Sequence, residues 1–306
     1  MARSHYQRPS ALVVLGAMVL DELLGDPTNR WHPVRWFGIG VDRLEGRVYA
    51  DSRASGVVLW SLALVPSVVL PPLLRPGGRI VETLGLWLTF GGRSLVREAE
   101  VLAALLEAGD LPGARIRLGN LVGRDTAELG PEEIVRAAIE SLAENTTDAV
   151  LGPLWWYAVG GLSGALAFRS SNTLDAMVGH QNRRYQNFGY FSAKVDDLAV
   201  MPAAILGVIV SWLGARSEQR RRIGHLIALA PQHPSLNAGL IEAAFAGALG
   251  VNLGGMNHYR GQAVSTPRLG GGSPPDVRAL HTASRLARQV FWRSALVTAL
   301  AIIAGS

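Results

Sequence analysis

Uncharged runs long enough to cross a lipid bilayer constrain this chain more than any other feature of its sequence. Residues 54–74, between Arg53 and Arg75, carry no charge and are rich in valine and leucine. Residues 149–168 form a second uncharged run of similar length. Because about twenty apolar residues in a helix span the hydrocarbon core, we predict an integral-membrane protein. Hydrophobic residues make up 49% of the chain and charged residues 17%, which is consistent with that class.

Further apolar segments extend this prediction to an all-α, polytopic membrane protein. The apolar segments are residues 9–20, 54–74, 81–92, 149–168, 198–215 and 294–306. We predict one integral-membrane domain over residues 1–306. About five of its helices are transmembrane or re-entrant, and helical segments on the cytoplasmic side form the site. Residues 263–275 are rich in glycine, proline and serine, which favours a flexible loop.

The topology around residues 149–168 stays open at this point, because several segments are shorter than a full span. The glycines of this run allow either close helix packing or a re-entrant bend. If residues 149–168 and 198–215 each cross once, the polar residues on either side of the first run lie on opposite faces of the membrane. A shared site then requires a re-entrant segment.

Acidic residues line one face of the helix predicted just before residues 149–168. Glu140, Glu144 and Asp148 are spaced four apart, and this spacing aligns them on one side of a helix. A simple ion pair between Arg136 and Glu140 is the structural alternative, and it accounts for only one of the three acids. The acid face therefore favours a functional site.

Polar residues crowd together again after the same apolar run. They are Arg169, Asn172, Asp175, His180, Asn182, Arg183, Arg184, Lys194, Asp196 and Asp197. Carboxylates near a bilayer are costly without partners or metal, carboxylate oxygens suit Mg²⁺, and arginine suits phosphate. The chain has no cysteine and no phosphate-binding glycine motif, which excludes thiolate zinc sites, cysteine nucleophiles and P-loop chemistry. The residues alone leave two classes open, a magnesium- and phosphate-handling enzyme or a transporter.

Four collinear motifs resemble a known family over most of the chain, from about Asp21 to Tyr259. The motifs are DELLGDPTNRWHPV, AAIESLAENTTDAVLGP, SSNTLDAMVGHQNRRYQNFGYFSAKVDDLAVMPA and HPSLNAGLIEAAFAGALGVNLGG. They resemble the adenosylcobinamide-phosphate synthase family of cobalamin biosynthesis (CobD/CbiB). The resemblance implies a multi-pass inner-membrane ligase whose active site is cytoplasmic.

The expected reaction joins (R)-1-amino-2-propanol phosphate, or aminopropanol, to the f propionate carboxylate of adenosylcobyric acid through an amide bond. ATP and Mg²⁺ drive it, through an acyl phosphate. Membrane lipid and other membrane enzymes of the cobalamin pathway are expected partners, and nucleic acid is not. The alternatives are a membrane transporter and a non-catalytic scaffold for corrinoid-pathway enzymes.

The resemblance also implies roles for particular residues. The expected catalytic residues are Glu140, Glu144, Asp148, Asp196 and Asp197. The expected magnesium ligands are Glu144, Asp148, Asp196 and Asp197. The expected substrate-binding residues are Asp26, His32, Arg124, Asn145, Arg169, Asn172, Asp175, Arg184, Lys194, His233 and Asn237. The acids hold Mg²⁺–ATP or act as the base, while arginines and Lys194 meet phosphate groups.

Overall fold

A computed structural model describes residues 8–27, 32–180, 182–259 and 261–305 of the chain. The predicted all-α, polytopic fold is confirmed, since helices dominate these ranges and one small sheet accompanies them. The helices are α1 (Ala11–Leu24), α2 (Pro33–Val48), α3 (Arg53–Leu74), α4 (Gly78–Trp87), α5 (Gly92–Glu107), α6 (Leu111–Gly119), α7 (Pro131–Thr146), α8 (Gly152–Val178), α9 (Tyr190–Leu213), α10 (Ser217–Ile227), α11 (Leu236–Leu249) and α12 (Val277–Ala304). The strands are β1 (Leu253–Tyr259) and β2 (Gln262–Leu269).

The chain divides into two compact units, each built from separate stretches of sequence. Unit 1 comprises residues 1–91, 148–203 and 294–306. Unit 2 comprises residues 92–147 and 204–293. The single domain over residues 1–306 stays a prediction.

Among the described residues, four helical stretches are long and apolar enough to cross a membrane. They are Arg53–Leu74, Pro131–Val178, Tyr190–Leu213 and Val277–Ala304. The clearest of them is α3, because only 17% of its most apolar stretch is buried inside the protein. The exposed valines and leucines of α3 are therefore available to contact lipid. The last stretch begins at Val277, well before the predicted start at residue 294. The predicted segments 9–20 and 81–92 correspond to α1 and α4, which are too short to span.

The run after α7 reverses direction. A π-helical turn, Thr147–Leu151, joins α7 to α8, and α8 is broken at Gly160 and Gly161, where Gly161 has a positive φ of 58°. In a straight helix, the sixteen positions between Gly152 and Phe168 would span about 24 Å. In the structure the two residues are in contact, since a Cβ atom on Gly152 would overlap the ring of Phe168. The two halves of α8 therefore pack against each other as a helical hairpin, as a re-entrant bend requires.

Unit 2 holds the only sheet in the described residues, a hairpin of β1 and β2. The strands pair antiparallel from Leu253 with Leu269 to Tyr259 with Gln262, with a bulge after Leu253. The prediction of a flexible loop over residues 263–275 was therefore wrong for its first seven residues. Composition suggested a loop, but the backbone of β1 supplies the hydrogen bonds that order this stretch.

Candidate functional site

Three aspartates converge in unit 1, and we call Asp148, Asp175 and Asp196 the aspartate cluster. Asp148 lies in the π-helical turn, Asp175 in the last turn of α8 and Asp196 in the second turn of α9. Each of the three carboxylates interacts electrostatically with the other two. All three side chains are partly buried. Like charges held this close favour a cation or a proton between them.

The helix reversal explains how residues so distant in sequence meet. Asp148 and Asp175 flank the α8 hairpin, so the break at Gly160 and Gly161 brings the two ends of the segment together. Asn172, one turn before Asp175, donates from Nδ2 to Oδ1 of Asp196 over 3.4 Å. One buried oxygen of Asp175, Oδ1, has no hydrogen-bond partner among the described residues. This arrangement can bind a small cation, such as an ammonium group.

A resident metal site is not pre-formed around these acids. Among the residues that the structure describes, no three histidine, aspartate or glutamate side chains are grouped to hold a metal ion. The expected magnesium ligands Glu144, Asp148, Asp196 and Asp197 thus form no cage by themselves. Their donors still fit Mg²⁺ that arrives with a nucleotide, because Mg²⁺ then takes one or two carboxylates together with phosphate oxygens and water.

Arg169 lies among carboxylates on the inner side of the hairpin. Its Nη1 donates to the carbonyl oxygen of Asp148 over 3.5 Å, and the carboxylates of Asp148, Asp26 and Asp21 all interact with its charge. Gly91 leaves room beside this group: a Cβ atom there would lie 3.6 Å from Nη2 of Arg169 and 3.7 Å from both Asp26 oxygens. The carboxylates offset the positive charge of Arg169 and are oriented by it, and its expected contact with a phosphate stays a prediction.

His32 caps the start of α2 beside these acids. Its Nδ1 accepts a hydrogen bond from the backbone N–H of Val34 over 3.2 Å. Burial lowers the pKa of His32, Arg169 lowers it further, and Asp26 opposes the shift. The imidazole is therefore neutral at pH 7, and its proton resides on Nε2, which can donate to a substrate.

Two expected phosphate-binding cations of unit 1 are engaged in ion pairs. Lys194 Nζ lies 3.1 Å from Oδ2 of Asp197, and both side chains are more than half exposed. Arg184 Nη2 lies 2.7 Å from Oε1 of Glu45, and this contact raises the pKa of Arg184. The guanidinium also lies over the Tyr49 ring. Arg184 thus fastens the loop between α8 and α9 to α2, and its expected role in binding substrate stays a prediction.

Unit 2 contains a second polar cluster, centred on a buried ion pair. Arg124 Nη2 lies 2.7 Å from Oε2 of Glu140, and the two side chains are only 11% and 4% exposed. The backbone N–H of Gly254 donates to Oε1 of Glu140 over 2.7 Å. Arg136 instead donates to the carbonyl oxygens of Gly254 and Met256. The alternative pair of Arg136 with Glu140 was therefore wrong, and both Arg124 and Glu140 hold β1 against α7.

The rest of the predicted acid face does not act as one row. Glu144 is exposed in unit 2, and the π-helical turn that follows carries Asp148 out of the α-helical register. Asn145 donates from Nδ2 to the carbonyl oxygen of Ser141 in its own helix over 2.9 Å. A spacing of four residues aligns side chains only in a regular α-helix, and the helix is no longer regular beyond Thr146.

Glu242 is a buried acid that was not among the predicted site residues. It lies in α11, and its Oε2 is 3.9 Å from Nε2 of His233. The side chains of both residues are nearly buried. Burial raises the pKa of Glu242 well above its ordinary value, and the carboxylates of Glu140 and Glu144 raise it further. Asn237, also buried, lies in the first turn of the same helix. The sequence signal that could have identified Glu242 is that it is the single charged residue of an otherwise uncharged helix, α11.

The fold and these clusters define a class, a polytopic helical membrane protein whose aspartates are gathered by a helical hairpin. Within that class, the chain belongs to the CobD/Cbib protein family, whose family model matches residues 14–287. No solved structure matches the chain.

Relatives from several bacteria are similar over nearly the whole chain. The protein of Stutzerimonas stutzeri is 43% identical and covers 89% of this chain and 91% of its own. That of Mycobacterium tuberculosis strain CDC 1551 is 40% identical, over 95% of each chain. That of Chromobacterium violaceum is 39% identical, over 97% of this chain and 98% of its own. All three are named cobalamin biosynthesis protein CobD, which supports a role in cobalamin biosynthesis.

Proposed function

We propose that the protein is a membrane ligase that joins an amino alcohol to a corrinoid. The acid is the f propionate of adenosylcobyric acid, the amine is (R)-1-amino-2-propanol phosphate or aminopropanol, and the product is adenosylcobinamide phosphate or its unphosphorylated form. The observation that carries the proposal is the aspartate cluster, because an amine substrate arrives as an ammonium ion. Family membership supports the choice of pathway.

The chemistry requires ATP, because a carboxylate is a poor acyl donor. One propionate oxygen attacks the γ-phosphorus of ATP, the bond to the β-phosphate oxygen breaks, and ADP leaves. The amine then attacks the acyl carbon and inorganic phosphate leaves. The ammonium must lose one proton before its attack and another during it, so a carboxylate near the nitrogen accelerates the second half of the reaction.

The aspartate cluster supplies the groups for this second half. In the proposal, Asp175 and Asp196 bind the ammonium, and one of them accepts its proton. Asn172 holds the Asp196 side chain in place through its 3.4 Å hydrogen bond. Arg169 holds the segment around Asp148 through the carbonyl oxygen that it contacts. Neutral His32, in the same unit, is a donor for a substrate carbonyl or phosphate oxygen.

Mg²⁺ belongs to the proposal as the companion of ATP. When bound, it neutralises the charge that develops on the transferred phosphoryl group. Asp148 is the proposed protein ligand, since its carboxylate is partly exposed and already faces two other acids. The remaining positions would be taken by phosphate oxygens and water, as is usual for this ion.

The proposed location is the inner membrane, with the active site on the cytoplasmic side where ATP is available. Four apolar helical stretches support the membrane part of this proposal. The basic segment Arg216–Arg222 after α9 favours a cytoplasmic end of that helix. Lipid and other membrane enzymes of the pathway are the proposed partners.

The direct test is synthesis by the purified protein in detergent. The protein is incubated with adenosylcobyric acid, aminopropanol phosphate, ATP and Mg²⁺, and the corrinoid is analysed by mass spectrometry. The proposal expects the corrinoid to gain the mass of the amine minus one water, and one ADP to form per product. No product should form when ATP or the amine is omitted.

Free aminopropanol and ethanolamine phosphate are tested in parallel, because the amine is the least constrained part of the proposal. If no amine yields product and no ADP is formed, the ligase proposal is wrong. Corrinoid-dependent flux across a vesicle membrane would then indicate a transporter, and the absence of both activities would indicate a scaffold.

A further inference from the structure

A cavity of about 280 Å³ in unit 2 is lined by three arginines and by no acidic residue. Arg216 immediately precedes α10, while Arg285 and Arg293 project from α12. The other polar side chains of the lining are Ser211, Gln219, Thr282 and Gln289. The cavity lies apart from the buried Arg124–Glu140 pair, and the proposed reaction does not use it.

The three arginines keep most of their hydrogen-bonding capacity. Arg285 donates from Nη2 to Oγ1 of Thr282 over 3.3 Å, and Arg293 donates from Nη2 to Oε1 of Gln289 over 3.1 Å. Both partners are neutral. Within the described ranges, none of the three guanidinium groups forms an ion pair with a carboxylate. Three uncompensated cations around one cavity favour an anionic ligand.

Ser211 provides an independent indication of a ligand. Its side chain is 1% exposed, it lines the cavity, and its hydroxyl has no hydrogen-bond partner among the described residues. Buried hydroxyl groups are normally hydrogen-bonded, so an anion oxygen in the cavity would complete this one. Gly214 makes room for the side chain of Arg293 in the cavity, because a Cβ atom on Gly214 would overlap the guanidinium group.

The cavity lies at the end of a candidate membrane span. The last residues of α9 are Trp212 and Leu213, which are 41% and 54% exposed. The guanidinium of Arg220 lies over the Trp212 ring, 4.8 Å from its centroid. Tryptophan and arginine in this arrangement are typical of the lipid headgroup region. The eleven-residue helix α10 begins directly after Arg216.

We propose that this cavity binds the phosphate group of an anionic phospholipid. Arginine forks match phosphate oxygens in pairs, and basic pockets beside membrane helices hold anionic headgroups. A soluble phosphate compound offers the same oxygens. The exposed apolar end of α9 favours the lipid, because its acyl chains would lie along that helix.

The test uses full-length protein purified in a neutral detergent. Thermal unfolding and native mass spectrometry are recorded with phosphatidylglycerol, with phosphatidylcholine and with inorganic pyrophosphate. The test variant is R216Q/R285Q/R293Q. The control variant, R221Q/R268Q/R278Q, removes the same number of charges from exposed positions of unit 2 outside the cavity.

The proposal expects phosphatidylglycerol to stabilise the wild type and the control, and to bind the test variant about tenfold more weakly or worse. Equal effects in all three proteins would overturn it, and so would protection by pyrophosphate without protection by the lipid. If the triple variant does not fold, Arg285→Gln is compared with Arg278→Gln in the same way. None of these readouts depends on ligase activity, so the proposal can fail while the proposed function stands.

Discussion

Asp148 and Asp175 are separated by 27 positions of almost continuous helix, and yet their carboxylates interact. A straight helix of that length would place them about 40 Å apart. The break at Gly160 and Gly161 removes this distance and brings both acids beside Asp196. The proposed active site of unit 1 therefore depends on a reversal of the backbone as much as on the acids themselves.

The reversal makes Gly161 sensitive to substitution. Its φ of 58° and ψ of −152° are unfavourable for any residue with a Cβ atom, at roughly 1–3 kcal/mol. Gly161→Ala is expected to lower the thermal unfolding midpoint in detergent and to reduce product formation together. Gly160→Ala is the matched control, because Gly160 has a negative φ and open space around its Cα. Equal effects of the two substitutions would contradict this account of the hairpin.

The Arg124–Glu140 pair is expected to behave as a buried structural ion pair. Glu140→Gln leaves Arg124 as an uncompensated buried charge, at a cost of roughly 3–5 kcal/mol in the free energy of unfolding. Replacing both residues, with Arg124→Met and Glu140→Leu, should cost less than Glu140→Gln alone. Chemical unfolding of the wild type, the single variant and the double variant measures the difference.

The control for this prediction is a more exposed pair in the same unit. Arg117 and Glu98 lie 2.5 Å apart, but their side chains are 39% and 30% exposed. Glu98→Gln should cost about 1 kcal/mol or less. If Glu140→Gln costs no more than Glu98→Gln, the structural role assigned to Glu140 is wrong.

The raised pKa of Glu242 predicts a particular dependence of stability on pH. A carboxyl group whose pKa is raised by folding stabilises the protein while it is protonated. The free energy of unfolding therefore falls as pH rises from about 4.5, the ordinary value, through the pKa of the folded state. Glu242→Gln stays neutral and should flatten that fall. Unfolding measured from pH 4.5 to 8 tests this, with exposed Glu128→Gln as the control, which should follow the wild type.

The sequence predicted the fold class better than it predicted the site. Uncharged runs identify α3 and α9 because lipid demands long apolar helices whatever their neighbours. The acid face failed as a unit because its spacing assumed a regular helix, and the π-helical turn after Thr146 changes the direction of Asp148. The partner of Glu140 was missed because Arg124 lies outside α7 and β1 completes the pair.

Other parts of the site required contacts that no local pattern encodes. Arg184 contacts Glu45 and Tyr49, more than 130 positions away in sequence, and no local pattern predicts these contacts. The hairpin of β1 and β2 formed where composition predicted a loop, because strand pairing overrides local preference. The grouping of Asp175 and Asp196 was open to prediction only if the run between residues 149 and 168 turned back, as the glycines permitted.

The most direct test of the central claim is the rate of amide formation by Asp196→Asn. The substitution keeps the size of the side chain and removes the carboxylate that is proposed to hold or deprotonate the ammonium. We expect kcat/KM for the amine to fall by roughly 10²–10⁴-fold, while the unfolding midpoint stays close to that of the wild type. Asp42→Asn, at an exposed position of α2 in the same unit, should leave the rate unchanged. Full activity in Asp196→Asn would contradict the assignment of the aspartate cluster as the active site.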